Sequence, residues 1–262
     1  MDKVFLSVGP ITIYWYSVLI VVSIVLGVFF SSKQAEKNGV GKDFLSNLIF
    51  YLIPVGIVGA RIYYVIFNFD VFADNLLSIF KVWEGGLAIY GAIISSLIFI
   101  IYYCKKHDKS ILLVIDTLVP NLILGQAIGR WGNFINKEAH GALTTIQYLE
   151  SLHLPRFIID GMKINGSYYI PTFFFESILC LIGFILLLIV RKKDKFKHEG
   201  LLMCIYFIWY GVVRFFIEGM RTDSLYFGVF RISQIVSLVL VIIGILGLIY
   251  LFRRNKKWKN IK

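Results

Sequence analysis

The chain has 262 residues, of which 58% are hydrophobic and 16% charged, and its 27 Lys and Arg against 16 Asp and Glu give a formal net charge of +11. A soluble domain carries about 25% charged residues, so this chain has too few to cover a water-exposed surface, and its 23 Phe and 15 Tyr exclude a disordered polymer. A basic nucleic-acid binder would not be this apolar, so the expectation is an all-α membrane protein whose bases mark orientation and which has no nucleic-acid partner.

A helix crossing about 30 Å of hydrocarbon needs about 20 mostly apolar residues. No charged residue occurs from Val4 to Ser32, and the first span is expected over Ile11 to Phe30. Its length, the single flanking base at Lys3 and the lack of a small-x-small site argue against a cleaved signal peptide. The second span is expected over Phe44 to Ile66, with Arg61 inside it, the third over Gly85 to Tyr103, and the fourth over Ile111 to Ile128, with Asp116 inside it. After a long mixed segment the fifth runs from Pro171 to Val190, proline being suited to a first helical turn. The sixth covers Leu201 to Ile217 and the seventh Ile232 to Phe252. Cys104, Cys180 and Cys204 stand singly without CxxC spacing, so neither a disulfide framework nor a metal site is expected.

The bases test that count. Lys33, Lys37 and Lys42, then Lys105, Lys106 and Lys109, then Arg191, Lys192, Lys193, Lys195 and Lys197, and finally six in the tail from Arg253 to Lys262 all fall on one side. The other side has only Lys3, Lys81, Arg130, Lys137, Arg156, Lys163, Arg221 and Arg231. The heavier side is expected to be cytoplasmic, which puts the N-terminus outside and the C-terminus inside and requires an odd number of spans. The stretch from Arg191 to Glu199 reads as a solvated loop. The whole chain, 1–262, is expected to be one membrane domain with a small extracytoplasmic head at 129–170. Within that head, Asp160-Gly161 and Asn165-Gly166 are turn signals beside the short runs Phe157 to Ile159 and Tyr168 to Ile170, the pattern of a small hairpin structure.

Ionisable residues inside a bilayer cost about 2.5–3.5 kcal/mol each at a helix centre and so mark functional candidates. Arg61, Asp116, Glu176, Arg214 and Glu218 qualify. Arg214 and Glu218 are four apart and can pair on one helix face; a structural clamp is the other reading for them, and buried hydrogen-bond anchors the other reading for Asp116 and Glu176. The densest cluster runs from Gly125 to Gly141 and mixes early glycines with Arg130, Asn133, Asn136 and Glu138. Such a stretch suits close approach of backbone and amides to a polar ligand. A second polar stretch, Glu218 to Ser224, ends the sixth span, so Arg130 and Arg221 are expected on the same outward face. Two guanidinium groups at the rim of an apolar bundle suit a phosphate whose tails stay in lipid. Interfacial snorkelling of two arginines is the alternative, but it leaves the surrounding Gly and Asn unexplained.

The run Gly129-Arg-Trp-Gly-Asn-Phe-Ile-Asn-Lys-Glu-Ala-His-Gly141 closely resembles the signature of prolipoprotein diacylglyceryl transferases. Tyr14-Trp15-Tyr16, Gly59-Ala-Arg61, Trp83 to Gly91, Pro171 to Glu176, and Arg214 to Ser224 followed by Arg231-Ile-Ser-Gln234 resemble further blocks of that family, in order along almost the whole chain. The resemblance implies a multi-pass enzyme of the bacterial cell membrane with its active site toward the extracytoplasmic face. Such an enzyme moves a diacylglyceryl group from phosphatidylglycerol to the lipobox cysteine of a prolipoprotein signal peptide, with membrane lipids as surroundings and no cofactor. The product is a thioether, and glycerol phosphate leaves.

On that reading Arg130 and Arg221 hold the phosphate, Asn133, Asn136 and Gly141 shape the headgroup pocket, and Glu138 orients an arginine or accepts a glycerol hydroxyl. Tyr16 is a candidate hydrogen-bond donor. Arg61 and Glu176 are candidate supporting groups in substrate binding, with packing support as the equal alternative. Some family members have His where this chain has Tyr90, and where it has Ile170, so a histidine base does not carry over. Tyr90, as a tyrosinate favoured by Arg130 or Arg221, becomes the candidate base, and water or the arginine field alone is the other route to the thiolate. His107 and His198 fall in cytoplasmic loops, His153 lies in the head, and only His140 is within the signature. Two other readings are a transporter with an anion site, which would need repeats or broken helices along a path, and a non-catalytic lipid-binding homologue.

Overall fold

The computed structural model of the protein describes residues 3–9, 11–194 and 198–259. The chain opens on an antiparallel hairpin, β1 (Val4–Val8) and β2 (Ile11–Tyr14), and passes into α1 (Trp15–Lys37). Then come α2 (Lys42–Phe67), three 3-10 turns (Phe69–Phe72, Leu76–Phe80, Val82–Glu84), α3 (Ile89–Lys106) and α4 (Ile111–Asn136). A short segment follows with β3 (Leu143–Thr144), α5 (Ile146–Ser151), α6 (Arg156–Gly161), β4 (Lys163–Ile164) and β5 (Ser167–Tyr169). The chain then forms α7 (Thr172–Asp194), α8 (Leu201–Met220), the hairpin β6 (Tyr226–Phe227) and β7 (Phe230–Arg231), and α9 (Ile232–Lys259).

Among the described residues, seven of these helices are long and apolar enough to cross a membrane: α1 to α4, α7, α8 and the Ile232–Arg253 part of α9. The protein is therefore an all-α, multi-pass membrane protein with the seven expected spans. Lys195, Lys197 and Lys262, counted among the cytoplasmic bases, lie outside the described residues.

Several boundaries differ from expectation, each for a local reason. The first span begins at Trp15 because the residues before it alternate with a period of two. Leu6 pairs with Ile13 on one face of the hairpin and Ser7 with Thr12 on the other, and Gly9 turns the chain at positive φ. The third span begins at Ile89, since Gly85 and Gly86 both sit at positive φ, a conformation that a helix does not contain. The fourth continues past Ile128 to Asn136, so residues 129–136 belong to a helix and the head is correspondingly shorter. Within the head, Asn165-Gly166 does form the tight turn between β4 and β5, both residues having positive φ as that two-residue turn demands. Asp160-Gly161 instead ends α6, and Phe157 to Ile159 is helical rather than extended.

The chain forms two compact units, Met1–Phe30 with Ile115–Lys262, and Ser31–Val114. In the smaller unit α2 and α3 meet at glycines: a Cβ on Gly59 would strike Ser95, and one on Gly91 would strike the Gly59 carbonyl. Small residues let helix backbones approach closely where lipid offers no hydrophobic drive for association. In the larger unit, Val119, Ile123 and Ala127 of α4 pack with Cys180 and Leu187 of α7 and Leu202 and Tyr206 of α8. A second core, of Phe134, Leu149, Ile158, Ile159, Met162 and Phe173, seats the head on the ends of α4 and α7.

Asp116 resolves as an anchor. Its carboxylate accepts from the backbone N–H of Gly200 at 2.7 Å and of Met203 at 2.8 Å. It thus caps the first turn of α8 from α4, satisfying donors that a helix start leaves unpaired.

Candidate active site

The site is built on the last three turns of α4. Three side-chain hydrogen bonds aim that helix at its neighbours. Gln126 Nε2 donates to the Tyr206 hydroxyl at 2.8 Å, Trp131 Nε1 to Ser177 Oγ at 3.2 Å, and Ser177 Oγ to the Ala127 carbonyl at 2.9 Å. The polar residues of this stretch are thus helical because they face protein partners, not lipid. Of its three glycines, only Gly132 is needed for close approach, since a Cβ there would collide with the Tyr16 ring. Tyr16 thereby lies against α4 at Gly132, two residues beyond Arg130. Gly132→Ala is expected to destabilise the protein by about 1–3 kcal/mol through this overpacking. Thermal unfolding in detergent checks it, with Tyr16→Ala expected to restore most of the loss.

Arg130 starts a ladder of alternating charges. Its Nη2 lies 2.8 Å from Glu176 Oε1 on α7, and Glu176 Oε2 lies 3.3 Å from Arg214 Nη1 on α8. Arg214 Nη2 in turn lies 2.6 Å from Glu218 Oε2. Both carboxylates are buried, while the two guanidinium groups keep some exposure. Taking single ions out of water costs several kcal/mol each, so only this strict alternation makes the cluster tolerable. The aromatic Tyr210 adds its hydroxyl beside Arg130. Arg214 and Glu218 pair as their spacing predicts, and both also join the ladder that begins at Arg130.

Beyond the end of α4 the chain doubles back. Lys137 and Ala139 both take positive φ, a strained choice for residues with a Cβ, and Thr172 Oγ1 holds the turn by donating to the Ala139 carbonyl at 2.5 Å. The turn swings Glu138 over the helix end, where one carboxylate oxygen accepts from Asn133 Nδ2 at 3.0 Å and Asn136 Nδ2 at 3.2 Å. Asn133 Oδ1 then accepts from Arg130 Nη1 at 3.3 Å. Glu138 therefore orients the two asparagines and reaches Arg130 only through one of them.

Gly141 follows, donating its N–H to the Ile170 carbonyl at 2.9 Å and pairing with Arg221 in a single bridge. A Cβ there would come within 2.8 Å of Ile170 Cβ and 3.2 Å of the Met220 carbonyl. Gly141 is thus the crossing point that ties the end of α4 to the end of α8. Beside it the His140 ring packs on Tyr169, centroids 4.1 Å apart. Arg221 is held by Asp223 in a two-pronged pair, Nε to Oδ1 at 3.0 Å and Nη2 to Oδ2 at 2.9 Å. Partial burial pushes the Asp223 carboxyl up, but the hydrogen bonds and charge of Arg221 outweigh it and hold the carboxyl below the usual carboxylate range. Its stabilising contribution is therefore present above the unfolded value of about 3.9 and is lost only as pH falls through the lower folded value.

The family model described as prolipoprotein diacylglyceryl transferase matches residues 3–250. The chain belongs to the prolipoprotein diacylglyceryl transferase family. It is similar to the phosphatidylglycerol–prolipoprotein diacylglyceryl transferase of Listeria monocytogenes serotype 4b, 47% identical over 256 residues, covering 98% of this chain and 91% of that protein. The protein of the same name from Ligilactobacillus salivarius is 44% identical over 250 residues, covering 95% and 93%. That from Lactobacillus delbrueckii subsp. bulgaricus is 44% identical over 262 residues, covering 98% and 94%.

Of the residues expected to serve this diacylglyceryl transferase, Tyr16, Arg130, Asn133, Asn136, Glu138, Gly141, Glu176 and Arg221 all belong to the larger unit. Arg61 and Tyr90 belong to the smaller one. There the Arg61 guanidinium donates to the carbonyls of Ser78, Ile79, Lys81, Gly85 and Gly86 at 2.7–3.4 Å. Five N–H groups are all that a guanidinium has, so Arg61 spends its donors on holding this loop. The Tyr90 ring lies 6.4 Å from that of Tyr63. Sequence reasoning missed Tyr210 and Thr172. Tyr210 was within reach of it, because it precedes Arg214 by four on the same helix face.

Proposed function

We propose that the chain transfers the diacylglyceryl group of phosphatidylglycerol to the lipobox cysteine of a prolipoprotein signal peptide, forming a thioether and releasing glycerol phosphate. The observation that carries the reading is the ladder from Arg130 through Glu176 and Arg214 to Glu218, in a chain whose relatives are named for this reaction. In the transfer, sulfur attacks the glyceryl carbon. A C–S bond forms as the C–O bond to phosphate breaks, the electron pair stays on the departing phosphate, and the thiol proton goes to a base.

The nucleophile comes with the substrate, so no serine or cysteine of this chain is required. What the protein must supply is positive field where the phosphate gains charge, because fixed cations aimed at developing charge stabilise the transition state. Arg130 is the first such group and Arg221 the second. Glu176 holds Arg130 from the protein side and leaves its other face for the ligand, while Asn133, Asn136 and Glu138 form the amide wall that meets the glycerol headgroup. Gly141 keeps that wall against Arg221, and Tyr16 borders it. The cytoplasmic assignment of the base-rich loops directs this face outward, where exported prolipoproteins carry their lipobox.

A free thiol has a pKa of about 8.5, so activation needs a base as well as a field. Tyr90 takes that role in this reading. Tyr90→Phe is then expected to slow transfer by about 100-fold or more, the usual contribution of a positioned general base; turnover near the parent rate in the purified protein removes it from the role.

The decisive assay uses the full chain in phosphatidylglycerol vesicles with a lipobox peptide. Mass spectrometry should find the peptide heavier by one diacylglyceryl group on cysteine, with glycerol phosphate released, and nothing in vesicles of phosphatidylcholine alone. Absence of the adduct in both overturns the proposal.

A further inference from the structure

The segment between α2 and α3 has a composition that neither the fold nor the transfer reaction uses. Leu77, Phe80 and Trp83 are exposed to 74%, 75% and 76%, and Phe69 and Val71 are exposed beside them. A cluster of large apolar side chains this exposed marks an interaction surface rather than ordinary scatter. Its backbone is irregular, yet many of its polar groups find partners within the protein. The N–H groups of Val71, Asn75, Ser78 and Lys81 bond to carbonyls three residues back, the Ser78 hydroxyl donates to the Asn75 carbonyl at 2.6 Å, and Arg61 donates to the Ser78 carbonyl as well as to four others. Phe72, the buried aromatic of the segment, lies under the same guanidinium, 4.9 Å from its ring centroid.

Irregular backbone cannot enter a low-dielectric layer with open polar groups. A water-facing loop has no such need, because solvent would satisfy its carbonyls. Here a cation inside a spanning helix spends all its donors on one loop, and the loop buries Phe72 against that cation while Leu77, Phe80 and Trp83 stay exposed. The exposed patch is also continuous with lipid-facing surface on both sides. It follows directly from Ile66 and Phe67 of α2 and leads into Ile89 and Ile93 of α3, all exposed side chains of membrane-crossing helices.

We infer that residues 69–88 form an anchor lying in the headgroup and upper acyl layer of the bilayer, with Arg61 as the internal staple that makes this immersion possible. Its partner is the lipid surface. Trp83 suits that depth, because Trp favours the membrane–water interface, and Leu77 and Phe80 suit the apolar side of an interfacial segment. Gly86 completes the device: it has positive φ, and a Cβ on it would meet Arg61 Nη1 at 2.5 Å.

The test uses the full chain in vesicles of phosphatidylcholine and phosphatidylglycerol, with an environment-sensitive fluorophore on Phe80→Cys or, as the control, on Lys105→Cys at the other end of α3. The three native cysteines are buried. Nitroxide groups on lipid headgroups and shallow acyl positions should remove most emission from the Phe80 label, and aqueous iodide little; the Lys105 label should respond to iodide. Iodide quenching of the Phe80 label equal to that of the Lys105 label overturns the anchor. Arg61→Lys keeps the charge with three donors instead of five and is expected to open the Phe80 label to iodide. If that variant does not fold, Gly86→Ala tests the same contact. A folded variant of either kind with unchanged protection overturns the part assigned to Arg61.

Discussion

Arg130→Ala is expected to abolish measurable diacylglyceryl transfer while the protein still inserts into the membrane. Two losses combine. The substitution removes the cation proposed to face the departing phosphate, and loss of one preorganised group of this kind costs about 10²–10³ in turnover. It also leaves Glu176, a buried carboxylate, with Arg214 as its remaining ion-pair partner at 3.3 Å. Breaking a buried pair from one side costs about 3–5 kcal/mol, so thermal stability should fall as well. Arg130→Lys separates the two effects. It restores a charge for Glu176 and hence most of the stability, but a lysine lacks the planar fork that reaches Glu176 and Asn133 together and matches phosphate at two points. Transfer should therefore remain depressed at least tenfold in the stable Lys variant. Full activity in Arg130→Lys would mean that charge alone suffices; full activity in Arg130→Ala would remove the residue from the reaction.

The seven spans were legible because crossing a bilayer imposes a long apolar run that composition alone reveals. Their ends were less so. The polar stretch after Ile128 looks unfit for a lipid-facing helix, yet α4 continues through it because Gln126, Arg130 and Trp131 each find a partner on α7 or α8. Hydropathy treats every polar residue as facing lipid and cannot see that the bundle supplies those partners. The hairpin before Trp15 was hidden for the opposite reason: its apolar content is high, and only its alternation distinguishes it from helix.

Within the site, legibility followed sequence distance. Arg214 and Glu218 pair by a helix spacing rule, and the Glu138–Asn136 contact is local. Nothing in the sequence links Asp116 to the first turn of α8, which lies 84 residues away. The pairing of Arg130 with Glu176 is invisible for the same reason, although Glu176 stands out as an ionisable group inside a span and Arg130 as a cation at the rim of the bundle. The position of Arg61 illustrates a further limit. Membrane burial made it a candidate for function, and only its five carbonyl partners show that its charge is consumed in holding a loop.

Glu176→Gln is expected to lower stability by about 3–5 kcal/mol, the cost of removing one member of a buried ionic network, and to reduce kcat by about 10–100-fold without raising KM. The substitution keeps volume and shape and deletes one charge. Arg214 then keeps Glu218 at 2.6 Å, while Arg130 loses its carboxylate partner. The resulting excess of positive charge favours an anionic headgroup in the ground state, so phosphatidylglycerol binding should not weaken. What is lost is the charge-assisted contact that fixes the Arg130 guanidinium, and such contacts contribute about 1.5–3 kcal/mol. A cation that still attracts phosphate but is no longer aimed at it affects kcat rather than KM. Adding Arg214→Met to Glu176→Gln restores charge balance with Arg130 and Glu218 left as one cation and one anion. In a double-mutant cycle the pair should therefore couple by about 0.5–3 kcal/mol, the double variant being more stable than additivity predicts. If Glu176 only fills space, Glu176→Gln should leave stability, kcat and KM close to those of the parent, because glutamine fits the same space; additive stability changes in the cycle would likewise remove Glu176 from the ladder.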